Sequence, residues 1–167
     1  MRSMTPMTLD DFDTAPFRFT ASYELEATPD AVFDELGDPS IWFPLMRRSV
    51  WRTGATSGVG AKREVEMVGF GIFREQMLAW DRGRRVAFTM FETTSPLVTR
   101  MGEDFRITHS PKGVRLEYNV AATLAPFARP LAPALRVVVR GLFAMTKSGL
   151  AKRTAWSKHA VQGKHVS

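Results

Sequence analysis

The sequence predicts an α+β fold: an antiparallel sheet of about seven strands, two short helices after the first strand, and one long C-terminal helix laid over the sheet. Three observations predict it. An apolar repeat runs from Leu131 through Leu135, Val138, Leu142 and Met145 to Gly149 at spacings of four and three, which marks one stripe of a helix. From Arg48 to Leu124, segments of strand length alternate with turn chemistry and helical periodicity is absent. The links between those segments are short enough for hairpins, which makes the sheet antiparallel and meandering.

The first strand is read from Phe17, Phe19, Ala21, Tyr23 and Leu25, which alternate with polar residues at a period of two. Thr28 before Pro29 supplies an N-cap and a proline at the first helical position, and Gly37 stops the short helix through Ala31, Val32, Phe33 and Leu36. Asp38, Pro39 and Ser40 repeat that chemistry, predicting a second short helix through Ile41, Trp42 and Phe43 that ends at Pro44. Strands follow near 48–52, 60–68, 71–80, 85–93, 97–108 and 114–124. They are separated by Gly54 to Gly58, Gly69, Asp81 to Gly83, Ser95-Pro96 and Pro111 to Gly113. The long helix begins near Leu131, because Pro133 is accepted only in a first turn, and reaches Lys158 or His159. At roughly 1.5 Å per residue it is about 40 Å long and crosses the whole body.

The division expected is a flexible tail over 1–15, one domain over 16–159 and a second flexible tail over 160–167. A chain of 167 residues with 44% hydrophobic and 24% charged residues has enough apolar surface for a core and is no disordered polymer. Cysteine is absent, which excludes a disulfide framework, a thiolate metal site and a cysteine nucleophile. The net charge of +6 is uneven. From Phe105 onward Glu117 is the sole acid among many Lys and Arg, while the first 104 residues are net acidic. Asp10, Asp11 and Asp13 stand where a secretory signal would need apolar residues, and Arg136, Arg140 and Lys147 interrupt the C-terminal apolar run. A soluble, cytoplasmic protein is expected.

Several chemistries find no support. The glycine-rich run from Gly54 to Lys62 lacks phosphate-loop spacing and leads into a strand rather than a helix. No G-x-S-x-G elbow is present. His109, His159 and His165 have no second ligand at metal spacing, so neither a metal nor another cofactor is expected. Arg129, Arg136, Arg140 and Lys147 form a basic stripe extended by Lys152, Arg153 and Lys158. It is either a solvated face or a surface for transient contact with an anionic membrane or an acidic partner. Specific nucleic-acid binding is not expected, because no stacking aromatics are interleaved with these cations.

The order strand, short helices, six antiparallel strands, long helix resembles the helix-grip fold of the START and Bet v 1-like (SRPBCC) superfamily. The phrases TPDAVFDELGDPSIWFP, GVGAKREVEM, WDRGRRVAF and PKGVRLEYNV are similar to its polyketide cyclase/dehydrase and lipid-transport branch, over roughly Phe17 to Lys158. The resemblance implies a curved sheet that closes an apolar cavity against the long helix. It also places Trp42, Phe43 and Met46 at the pocket entrance, as a gate or as a core plug.

Strand alternation selects the lining. Arg63 shares a face with Ala61, Val65 and Met67, Glu92 with Val86, Phe88 and Met90, Glu103 with Met101, Phe105 and Ile107, and Tyr118 with Leu116 and Val120. An unpaired buried charge is costly, so Arg63 is expected to pair with Glu92 or Glu103 or to meet water in a cavity. On the strand 71–80 neither face wins, and Glu75 and Gln76 ride on opposite sides. From the helix, Leu135, Val138, Leu142 and Met145 are expected to close the pocket. The function implied is binding of a hydrophobic small molecule, a lipid, isoprenoid or polyketide, by a monomer or homodimer. One alternative is a cyclase or dehydratase that moves a proton on Glu92 or Glu103. The other is a regulatory or assembly protein that docks through its basic helix.

Overall fold

The computed structural model describes residues 1–52, 54 and 57–162, and of 156–162 the backbone alone. The expectations for the side chains of Lys158 and His159 and for residues 163–167, His165 included, lie outside the described residues. The chain runs β1 (Arg2–Ser3), a 3-10 helix (Leu9–Asp13), β2 (Phe17–Leu25), α1 (Pro29–Leu36), β3 (Met46–Trp51), β4 (Lys62–Met67) and β5 (Gly71–Asp81). It continues through β6 (Arg85–Thr93), β7 (Val98–Ser110), β8 (Gly113–Leu124), a 3-10 helix (Pro126–Leu131) and α2 (Ala132–Gln162). The sheet order is β2-β8-β7-β6-β5-β4-β3, antiparallel throughout, with β1 on β6. The helix-grip arrangement that the pattern predicted is present: α1 and α2 cover the concave face.

One predicted helix is missing. Thr28 does cap α1, its hydroxyl accepting from Ala31 N at 3.2 Å. Residues 39–45 make successive turns instead, with one helical bond from Phe43 N to Pro39 O at 2.9 Å. Pro39 and Pro44 leave room for a single turn, and the residue before a proline is held away from helical geometry, so the helix has no length in which to propagate.

Residues 1–15 are packed against the sheet, which corrects the reading of a loose tail. Met4 joins the main core, while Met7, Phe12 and Ala15 bury themselves on the convex face against Ala121 and Leu78. Met7 N donates to the Thr89 hydroxyl at 2.7 Å, and Arg100 pairs with Asp11 at 2.8 Å. Gly102 makes room for this layer, since a Cβ there would sit 2.8 Å from the Phe12 ring.

Two bulges decide which side chains face the concave side. Arg74 stands opposite Glu92 and Glu75 opposite Met90, so Phe91 is an extra residue in β6 and alternation reverses after it. On β5 the pairs Met77 with Phe88 and Ala79 with Ala87 leave Leu78 as the extra residue. That shift brings Phe73, Glu75, Met77 and also Trp80 inward, Trp80 packing edge-on against Phe33 and Trp51. A strand that bulges midway shows apolar residues on both nominal faces, which is why simple alternation could not sort it.

The buried face of α2 is rotated by about one residue from the predicted stripe. Ala132, Leu135, Val139, Leu142, Phe143, Thr146, Leu150 and Thr154 face the body, whereas Val138 is 46% and Met145 55% exposed. Three contacts set the rotation. Phe143 stacks on Phe19 with centroids 4.7 Å apart, the Tyr23 hydroxyl donates to the Phe143 carbonyl at 2.9 Å, and Gly149 lies against the backbone of Trp42. A Cβ on Gly149 would overlap the Trp42 carbonyl oxygen, so the glycine permits the approach of α2 to the 39–45 turns.

Candidate functional site

Two adjoining cavities lie between the concave face and α2. The larger, about 100 Å3, is walled by residues that include Phe17, Phe73, Leu97, Val120, Leu124, Leu135, Val139, Leu142 and Phe143. Its polar lining residues, among those described, are Ser95, Glu103 and Tyr118. The smaller, about 20 Å3, lies toward α1 and the 39–45 turns, and Trp42, Met46, Arg63, Glu75, Phe88 and Phe105 line it. Phe43, Met67, Glu103 and Tyr118 belong to both. The site is thus one apolar chamber with a polar end.

Four side chains make that end. Arg63 is fully enclosed, as alternation predicted, but its partner is Glu75, not Glu92 or Glu103. The Arg63 Nε and Nη2 atoms meet Glu75 Oε2 at 2.8 and 2.7 Å, and Nη1 donates to the Gly37 carbonyl at 3.2 Å. The rings of Trp51 and Phe88 lie over the guanidinium at 5.4 and 5.2 Å. Burial pushes the Glu75 carboxyl above its ordinary range, with Arg63 pulling the other way. Beside this pair, the Tyr118 hydroxyl donates to Glu103 Oε2 at 2.6 Å. Burial raises the Glu103 carboxyl to about 7, although the Tyr118 hydrogen bond lowers it. Tyr118 itself is pushed well up by burial and by Glu103.

The sequence-selected residues divide cleanly. Trp42, Phe43, Met46, Arg63, Phe88, Glu103, Phe105, Tyr118, Leu135 and Leu142 line one cavity or both. Trp42 is held in the wall by its own indole, which donates to the Glu35 carbonyl at 2.6 Å. Met90 is buried in the core but reaches neither cavity. Glu92 is turned to the convex side by the bulge at Phe91 and joins a surface ladder, Arg74 bridging it at 2.5 Å and Glu64 at 3.0 Å. It is withdrawn as a proton-moving candidate. Val138 and Met145 are withdrawn from the lining by the rotation of α2. Glu75, Val139 and Phe143 were missed. The signal for Glu75 was its place between Phe73 and Met77. Among the described residues no group of three or more His, Asp or Glu side chains converges to hold a metal.

The model of the family described as "Polyketide cyclase / dehydrase and lipid transport" matches residues 16–154. The chain belongs to that family. An uncharacterised protein of Mycobacterium tuberculosis is 33% identical over 121 residues, spanning 71% of this chain and 72% of the relative, and one of Mycobacterium bovis matches equally. Among solved structures the fold is similar to that of the di-domain ARO/CYC StfQ from the steffimycin biosynthetic pathway. That likeness has a TM-score of 0.70 at 17% identity and covers 90% of this chain and 55% of that one. It is similar also to XoxI from Bacillus cereus, with a TM-score of 0.67, 16% identity, and 83% and 96% of the two chains. Ara h 8.0201 follows with a TM-score of 0.60, 15% identity, and 81% and 97%. The family and these likenesses identify a Bet v 1-like, SRPBCC helix-grip fold.

Proposed function

We propose that this family member binds a hydrophobic small molecule, a lipid, isoprenoid or polyketide-like compound, in the chamber between sheet and α2. The observation that carries the reading is an internal cavity whose lining is apolar apart from Ser95, Glu103 and Tyr118. Apolar walls gain free energy when an apolar occupant removes them from water. Its 100 Å3 is well below the roughly 300–1,000 Å3 of a typical ligand pocket, so a ligand of more than a few carbons displaces part of the wall. Part of that wall comes from the N-terminal half of α2. Leu135, Val139 and Leu142 are only half-buried, whereas Leu150 and Thr154 near the other end are enclosed. Organic extraction of the purified protein and titration with a neutral, environment-sensitive dye test the reading. An empty extract together with no dye binding would rule it out.

A second reading is an enzyme of the cyclase or dehydratase type, favoured by Glu103. A buried carboxyl raised to about 7 is in the range suited to proton transfer near neutrality, and it faces the chamber with Tyr118 beside it. No metal or nucleotide cofactor is part of this reading. Glu103→Gln should then abolish turnover of a polyketide-like thioester while leaving dye binding intact; retained turnover removes the enzyme reading.

A third reading concerns the outer face of α2. Val137, Val138 and Met145 are exposed there, and Arg136, Arg140 and Lys147 stand on its flank, which fits transient contact with an anionic membrane. No helix among the described residues is long and apolar enough to cross a membrane. A cytoplasmic location is part of this proposal. Co-sedimentation with phosphatidylserine vesicles that weakens with added salt is the expected result, and binding equal to that on neutral vesicles counts against it.

A further inference from the structure

The polar end of the chamber restricts the chemistry of its occupant further than apolar lining does. The larger cavity has no cation among its described lining residues, and the smaller has one, Arg63. Each nitrogen of Arg63 already has a partner: Nε and Nη2 are on Glu75 and Nη1 is on the Gly37 carbonyl, with the rings of Trp51 and Phe88 also packed against the guanidinium. A ligand carboxylate brought to this end would have to share this one cation with Glu75. The enclosed site would then hold more anionic charge than its single guanidinium balances, which is costly.

Glu103 sharpens the restriction. It is the titratable side chain shared by both cavities apart from Tyr118, and a second anion beside it in a low-dielectric space is repelled. For uncharged groups the same atoms are good partners. The Tyr118 hydroxyl spends its proton on Glu103, so its oxygen remains an acceptor. Glu103 has a second oxygen besides the one Tyr118 engages. It accepts from a ligand hydroxyl when ionised and donates to a ligand carbonyl when protonated, and a carboxyl at about 7 is present in both forms near neutrality.

We propose that the chamber takes an uncharged, largely apolar molecule with a hydroxyl or carbonyl group at one end, held by Glu103 and Tyr118, and discriminates against fatty carboxylates of equal length. This rests on the reading of the chamber as an apolar ligand site and names the ligand class that site takes. Of the three classes named above, isoprenoid alcohols and neutral polyketide chains fit, and free fatty acids do not.

The experiment is a displacement series with Nile red, a neutral dye, on the full-length protein at pH 8, where alkanoates and Glu103 are ionised. Competitors of matched length, from six to twelve carbons, are the alkane, the primary alcohol, the methyl ketone and the alkanoate. At this pH the alcohol should displace the dye at concentrations about tenfold or more below those of the alkanoate, and below those of the alkane, whereas the ketone, whose donor is protonated Glu103, should gain on the alkane only when the series is repeated at pH 6. In Glu103→Gln, which keeps the hydrogen-bonding shape and loses the charge, the gap between alcohol and alkanoate should close by most of its extent. If Nile red does not bind and no competitor is taken up, the chamber is no ligand site and the function proposed above falls with this inference. If the dye binds and the alkanoate competes as well as the alcohol, or the alkane does, the ligand site stands and the discrimination is wrong. A gap that survives unchanged in Glu103→Gln removes Glu103 as its source.

Discussion

Arg63 and Glu75 depend on each other, because each is enclosed and the other is its main counter-charge. Replacing Arg63 by Met alone, or Glu75 by Leu alone, leaves an uncompensated buried charge and should cost about 3–5 kcal/mol in urea unfolding. The double variant R63M/E75L should recover most of that loss; a double variant as unstable as the sum of the singles would show that the two do not act as a pair. Glu103 gives a pH signature of known sign. Its carboxyl titrates from a reference of 4.5 and at about 7 in the fold, so the folded state holds the proton more tightly. Stability therefore falls as pH rises from about 4.5 to about 7, by up to about 3 kcal/mol, and no further above that. Glu103→Gln, free of this penalty, should match wild type near pH 4 and exceed it by about 1–3 kcal/mol at pH 8. A stability difference between the two proteins that does not vary with pH would mean that Glu103 keeps an ordinary carboxyl. At this scale alternation was a sound guide for Arg63, Glu103 and Tyr118. It failed for Glu92, because one extra residue in a strand is invisible to a period of two.

At the scale of elements, α2 shows what periodicity can and cannot say. The helix was legible, and so was the stripe to within a residue. The choice between Val138 and Val139, or between Met145 and Thr146, was not, because apolar residues flank the buried arc on both sides and only the partner surface selects. Two glycines separate intrinsic helix preference from packing. A Cβ placed on Gly141 would meet nothing within 4 Å, so Gly141→Ala should raise stability by up to about 1 kcal/mol. Gly149→Ala gains the same preference but drives a methyl into the Trp42 carbonyl, and should lower stability by about 1–3 kcal/mol. Thermal melts followed by circular dichroism compare the two; equal shifts in one direction would mean that the contact with Trp42 does not position the helix. The absent second helix is the same lesson in reverse. Its cap residues are real, Asp38 accepting from Ser40 N at 3.1 Å, yet a cap cannot extend a helix confined between two prolines.

At the scale of the molecule, helices cover the concave side of the sheet, and Met7, Phe12 and Ala15 cover part of the convex side around Ala121 and Leu78. The N-terminal segment also carries the pairing of β1 with the end of β6, where β6 has parted from β7. Removing residues 1–14 should therefore lower Tm by several degrees, each lost kcal/mol being worth roughly 2–4 °C in a chain of this size. It should also speed amide exchange at 89–93 more than in β8. An unchanged Tm would mean that the segment rests on the sheet without stabilising it. Phe12→Ala is the point version, expected to lose about 3–5 kcal/mol through the cavity left beside Gly102.

From Phe17 onward, and apart from the second short helix, the sequence by itself determined the order of strands and α-helices, the antiparallel meander and the presence of polar groups on an otherwise apolar face. These follow from local chemistry: alternation at a period of two, caps, prolines, and glycine turns. Tertiary structure alone decided that Arg63 meets Glu75, that Glu92 faces away, how far α2 is rotated, and that Met7 and Phe12 belong to a second core. Each of these depends on which surfaces meet and on one-residue bulges in the strands. A pairing across the sheet has no period along the chain from which to be read.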